Sequence, residues 1–157
     1  MGTRSLTFFY DDEQPVLCLY RQMDGYPGGQ GQDLLDFLAD YHLLNGYVLT
    51  KPTPKQANGM GCLAAQYVAA VKNGVGHYYL YPTDTEDADQ EYEYHVYGGL
   101  QADGTPRRLS IKVIKPAFDG NNHHFARRRR DDKVLFDGSL TRYRTWLKKT
   151  AAAQATT

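Results

Sequence analysis

The chain has 157 residues, of which 41% are hydrophobic and 23% charged, and its formal net charge is zero. That is the balance of a single soluble globular domain long enough to bury a core without staples. No run approaches the ~20 apolar residues of a membrane helix, and no basic-then-apolar leader opens the chain, so no membrane role and a cytoplasmic location are expected. The cysteines, Cys18 and Cys62, are too few for a disulfide framework, and Cys18 inside VLCLY reads as a buried thiol.

Residues 4–10 (RSLTFFY) and 15–23 (PVLCLYRQM) read as a β-hairpin turned by DDEQ. A glycine-rich stretch, DGYPGGQG, follows. Beyond it Leu34, Leu35, Phe37, Leu38, Tyr41 and Leu44 recur at helical spacing, and Asn45-Gly46 marks a stop. Residues 51–61 (KPTPKQANGMG) exclude regular structure, and residues 62–73 predict a second helix. Three strands are expected at 75–81, 91–97 and 108–114. In the last two, Tyr92, Tyr94 and Val96 oppose Glu91, Glu93 and His95, while Leu109, Ile111 and Val113 oppose Arg108, Ser110 and Lys112. One packed and one polar face favour antiparallel pairing. Residues 116–132 read as an exposed loop. Residues 137–139 (DGS) then cap a final helix that ends at Lys148-Lys149, and 150–157 are expected to be a disordered tail. The expected fold is α+β: a mainly antiparallel sheet of about five strands with two to three helices on one face, forming a single domain over 1–149.

Thirteen tyrosines are the compositional oddity; Tyr suits both strands and ligand surfaces. Charge is also segregated. Residues 1–104 carry 5 Lys/Arg against 14 Asp/Glu, and residues 105–157 carry 13 against 4. Either the two halves attract within the fold, or the basic end meets an anionic partner.

The glycine stretch lies between a strand and a helix, the setting of an anion cradle. It has no GK[ST] and does not fit G-x-G-x-x-G, so Walker and Rossmann readings are excluded, and Asp33 and Asp36 would oppose an anion. A tight structural turn is the alternative. The run Arg127, Arg128, Arg129 and Arg130 suits phosphate, and it suits equally a loop paired with the acidic residues 84–93. Nucleic acid is a lesser option without a reading helix. Among the histidines, His77 and His95 lie on strands that could be neighbours and are the pair for catalysis if the protein is an enzyme. Asp119, His123 and His124 form a weak metal pattern, so no metal and no cofactor are expected.

The opening MGTRSLT, the stretch YRQMDGYPGGQG and the later EYEYHVY resemble a group of small proteins from bacteriophage and bacterial genomes. The resemblance spans 1–147 and carries over no catalytic residue. It implies a phage-like origin and a host-directed role, such as antagonism of host defence. The expected function is therefore non-enzymatic capture of a small phosphorylated ligand such as a signalling nucleotide. Its site would combine Arg4 and Arg21 for charge, Asp24 and Tyr26 for orientation and stacking, the backbone of Gly28, Gly29, Gln30 and Gly31, and Arg127–Arg130 as a lid. A homodimer is the expected assembly. The alternatives are an inhibitor or adaptor that binds a host protein, and a nucleotide hydrolase.

Overall fold

The structure, a computed structural model, describes residues 2–46, 55–119, 126–127 and 129–155. In chain order the elements are β1 (Ser5–Asp11), β2 (Gln14–Arg21), a π-helical turn (Pro27–Gly31), α1 (Gln32–Leu38), β3 (His42–Leu44), β4 (Gln56–Asn58), α2 (Gly59–Val71), β5 (Tyr78–Leu80) and β6 (Tyr92–Gly98). There follow β7 (Ser110–Lys115), β8 (Phe118–Asp119), β9 (Ala126–Arg127), β10 (Lys133–Ser139) and α3 (Leu140–Ala155). Six strands form the main sheet in the order β10-β7-β6-β1-β2-β5. Every pairing in it is antiparallel except β1 with β6, which run parallel at its centre. The fold is α+β, with three helices packed on one face of the sheet.

Strand alternation sorts the side chains. Phe9, Leu17, Leu19, Tyr94, Val96, Ile111 and Val113 meet Leu34, Leu35 and Leu38 of α1, Met60, Leu63 and Tyr67 of α2, and Tyr143 and Leu147 of α3. Among the described residues no α-helix packs on the second face. Leu6, Phe8 and Cys18 form a small buried cluster there, with Tyr10, Tyr20 and Ala88 packed on it. At the β5 edge the Lys72 ammonium donates to the Gly76 and Tyr78 carbonyls, each at 2.8 Å, a lysine guard of the kind that blunts exposed strands.

Several boundaries differ from the sequence reading. The first helix stops at Leu38, where Asp40 takes a positive φ of 63°, and His42–Leu44 turn instead into a short strand against β4. Strand β10 was not anticipated, because KVLFDGS lacks clean alternation; it pairs with β7 across an irregularity at Val134/Phe136. Helix α3 continues to Ala155, so 150–155, expected as a disordered tail, are helical. Part of the 51–61 loop and the 123–124 histidine pair lie outside the described residues.

The glycine stretch is packed from within. A Cβ on Gly29 would collide with the Asp24 carbonyl, whereas Gly61 in α2 faces open space. Gly29→Ala is therefore expected to lower the unfolding free energy by about 2 kcal/mol. Gly61→Ala should raise it by about 0.7 kcal/mol through helix propensity and a stiffer unfolded chain. Urea unfolding midpoints at constant slope read both effects.

Candidate functional site

Two polar networks cross the sheet, one on each face. On the helix face the hub is Gln30, completely buried within the glycine stretch. Its amide nitrogen donates to Thr7 Oγ1 at 2.9 Å and to Tyr67 Oη at 2.7 Å, and its Oε1 accepts from Arg21 Nη1 at 2.8 Å. Arg21 also reaches Asp33 at 2.7 Å and the Met23 carbonyl at 2.7 Å, and stacks over Tyr78. The loop's N–H groups turn inward: Gly29 donates to the Tyr26 carbonyl and Gln30 to that of Asp24, with Gly31 aimed at Tyr26 as well. Tyr94 and Tyr143 donate to the Gly25 and Gly31 carbonyls. With these three donors turned to carbonyls of their own loop, the stretch acts as a brace, and the N–H groups of Gly29, Gln30 and Gly31 are not presented to an anion. Tyr26 remains exposed, and Asp24 holds the turn at a φ of 59°.

On the second face the hub is Glu93, whose side chain is 4% exposed. It accepts from Arg127 Nη1 at 2.5 Å, from the Gln90 amide at 2.7 Å and from His95 Nε2 at 3.0 Å. Arg127, equally buried, also holds Asp132 at 2.7 Å and the Glu86 carbonyl at 3.1 Å, and lies over the Phe118 ring. On the far side of His95, Nδ1 meets Tyr10 Oη at 2.7 Å, and the imidazole stacks on Phe8 with centroids 4.9 Å apart. Tyr10 in turn stacks on Tyr97 at 4.7 Å. A chain of contacts thus runs Tyr97, Tyr10, His95, Glu93, Arg127, Asp132.

Burial by itself would raise the Glu93 carboxyl, but hydrogen bonds and charge from His95 and Arg127 outweigh it and hold the group down to about 2. Arg127 is shifted upward: its burial works against this, but Asp132 and Glu93 prevail. Burial pushes the Tyr10 phenol well up, with Tyr97 and Glu93 adding to the effect. It also pushes the Cys18 thiol up to about 12, so Cys18 is an inert packing group.

The expected ligand residues are split by this arrangement. Arg21 and the glycine stretch serve the helix face, Arg127 the second. Arg4 binds Asp89 at 3.1 Å and Arg129 binds Glu86 at 2.8 Å. Arg130 lies in the 3-10 turn Arg129–Asp131, and Arg128 lies outside the described residues. The basic end pairs with the acidic segment, one of the two options charge segregation left open. His77 and His95 do not meet, since β1 and β2 stand between β5 and β6. His77 instead sits at a φ of 66° with a buried, unpartnered Nδ1, shifted downward by burial and then by Arg21. Among the described residues no group of three His, Cys, Asp or Glu could hold a metal ion, and no helix is long and apolar enough to cross a membrane.

Sequence reasoning missed two features. Tyr10 joins His95 only because β1 and β6 pair in parallel, which sets Phe8 opposite His95 and Tyr10 opposite Tyr97; alternation within each strand signalled the faces but not the register. The other is Arg107-Arg108. Together with Asp12, Glu13, Tyr97, Gly98 and Ser110 this pair lines a cleft of about 510 Å3. Arg107 holds Asp12 at 3.3 Å with both side chains exposed, and among the described residues Arg108 has no acid partner. Beside Tyr10, a second cleft of about 230 Å3 is lined by Phe8, Tyr10, residues 83–86, Glu93, His95 and Arg129. Comparison with family models, curated proteins and solved structures gives no match for the chain.

Because the folded Glu93 carboxyl sits near 2 against an ordinary 4.5, its stabilisation is complete above about pH 4.5. It is lost as pH falls through about 2, amounting to about 3 kcal/mol. Denaturation curves between pH 6 and pH 2 should show this slope. Glu93→Gln should flatten it while destabilising the protein at pH 7 by about 3–5 kcal/mol, since Arg127 loses a buried counter-charge.

Proposed function

We propose that the protein captures a small phosphorylated ligand, a nucleotide, on the second face of its sheet and does no chemistry on it. One observation carries the reading: an aromatic ring, Tyr97, and two exposed guanidiniums, Arg107 and Arg108, line the same cleft, with the Asp12 and Glu13 carboxylates at its rim. Guanidinium binds phosphate oxygens through paired N–H donors and keeps its charge at every working pH. Tyr97 offers a face to an aromatic base, a contact worth ~1–3 kcal/mol. The Arg107–Asp12 pair is exposed and weak, so a phosphate displaces Asp12 at little cost. The proposed site thus moves from the glycine stretch to Tyr97, Arg107 and Arg108, while the ligand class stays as expected. In a phage-type protein such capture acts as a sink for a host signalling nucleotide.

A second reading, nucleotide hydrolysis, draws on the Tyr10–His95–Glu93 chain, which has the nucleophile–base–orienter form of hydroxyl activation. Turnover of any nucleotide, abolished in His95→Asn with the fold retained, would establish it in place of capture.

Titration calorimetry with mono-, di- and cyclic nucleotides tests capture. Affinity tighter than millimolar is expected, weakening with salt. It should drop at least tenfold in Arg108→Glu and stay unchanged in Arg144→Ala, an exposed arginine on α3. Absence of binding by every nucleotide would remove the reading.

A further inference from the structure

Arg107 and Arg108 line two clefts, not one. Besides the cleft shared with Tyr97, they line another of about 380 Å3 at the end of the sheet, where β6 gives way to β7. Leu38, Tyr41, Leu43, Leu109 and Leu140 supply its apolar wall, and all five belong to the helix-face core or pack against it. Tyr41 is fixed in place: its hydroxyl donates to Gln66 at 3.1 Å, and its ring packs on Phe37 with centroids 5.0 Å apart. An aromatic ring therefore stands to either side of the arginines, Tyr97 on the second face and Tyr41 on the helix face. The backbone that carries the charge between them is braced. The Arg107 N–H donates to the Gly99 carbonyl and the Gln101 N–H to that of Thr105, each at 2.8 Å. Asn45, next to β3, ties the same turn down through the Gly104 carbonyl at 2.9 Å. Such preorganisation lowers the ordering cost of binding.

We propose that the ligand is a dinucleotide, two nucleosides joined through phosphate, with its bridge at Arg107 and Arg108, one base against Tyr97 and the other in the Tyr41 cleft. The inference rests on the capture reading above and names the ligand class for it. Each cleft alone falls within the ~300–1,000 Å3 typical of small-molecule sites, so a mononucleotide leaves one of them unfilled. Charge points the same way. Asp12 and Glu13 line one cleft and Asp40 the other, and these carboxylates oppose phosphate. A terminal phosphate carries about two negative charges, a bridging diester only one, so the bridge is penalised less. Once one base is seated, the second binds from within the same molecule and adds affinity without a new encounter.

Calorimetry compares each of the four ribonucleoside monophosphates with its linear 3′,5′-linked, cyclic and 5′,5′-pyrophosphate-linked dinucleotide. The linkage that suits the spacing of the clefts should bind at least tenfold more tightly than its mononucleotide. Thr141 is exposed at the start of α3 and lines the Tyr41 cleft but not the Tyr97 cleft. Thr141→Trp, which fills the Tyr41 cleft, should bring that ratio close to one. Thermal melts report whether the variant folds. If it does not, the His42 imidazole resonances decide, because His42 lines only the Tyr41 cleft: they should move with the dinucleotide and stay in place with the mononucleotide. A ratio that persists in folded Thr141→Trp would overturn the inference. So would dinucleotides that bind no more tightly than mononucleotides in the unaltered protein, a result that leaves capture standing. Failure of every nucleotide to bind would remove capture, and the inference with it.

Discussion

A carboxylate taken out of water inside a sheet must be met by charge and hydrogen bonds where it stands, or it costs several kcal/mol. Glu93 is met by Arg127, Gln90 and His95 together, and the second face of the sheet is organised around that requirement. Arg127 brings Asp132 with it, and Asp132 in turn accepts from the Ala117 N–H. Gln90 reaches back to the Glu86 carbonyl. Two irregular segments, one acidic and one basic, are thereby fastened to the same few square ångströms of sheet. The apolar contribution on this face is small, essentially Leu6, Phe8 and Cys18, so electrostatic satisfaction does here what burial of large side chains does on the other side.

The helix face uses the opposite balance, with one polar insertion. Gln30 enters a core of leucines and aromatics because a glycine-built turn lets its backbone approach the sheet closely, and there it meets Thr7, Tyr67 and Arg21. The turn resembles a ligand loop in composition because both uses need the same thing, backbone without side chains. The difference lies in where the N–H groups point, and here they point at carbonyls of their own loop.

The sequence made the fold class legible because alternation in residues 91–97 and 108–114 and the 3.6 period of residues 34–38 are local signals. Strand β10 and the early end of α1 were not legible, since tertiary pairing and a left-handed Asp40 decided them. The site was less legible still. Arg127–Arg130 stood out as a charge run, and the sequence left open whether it pairs within the chain or binds outside it; the described contacts are internal ones to Glu93, Asp132 and Glu86. Tyr10 and His95 are 85 residues apart, and no spacing rule links them without knowledge of the parallel register. Arg107-Arg108 gives no signal in the sequence, because two arginines become conspicuous only beside an aromatic ring supplied by β6.

Strand β1 sits in the interior of the sheet, hydrogen-bonded to β2 on one side and to β6 on the other. The first partner is its immediate neighbour in sequence, while the second ends at Gly98. A chain emerging from the ribosome can close the hairpin early, yet the far side of SLTFFYD stays unpaired until residues 92–98 have been synthesised. Such a segment, apolar and rich in aromatic residues, is a template for stray strand addition while it waits. The finished fold hides its most adhesive strand in the middle. The cost of that placement falls on the nascent chain, which makes the rate of synthesis and the presence of chaperones part of what determines the yield of this protein.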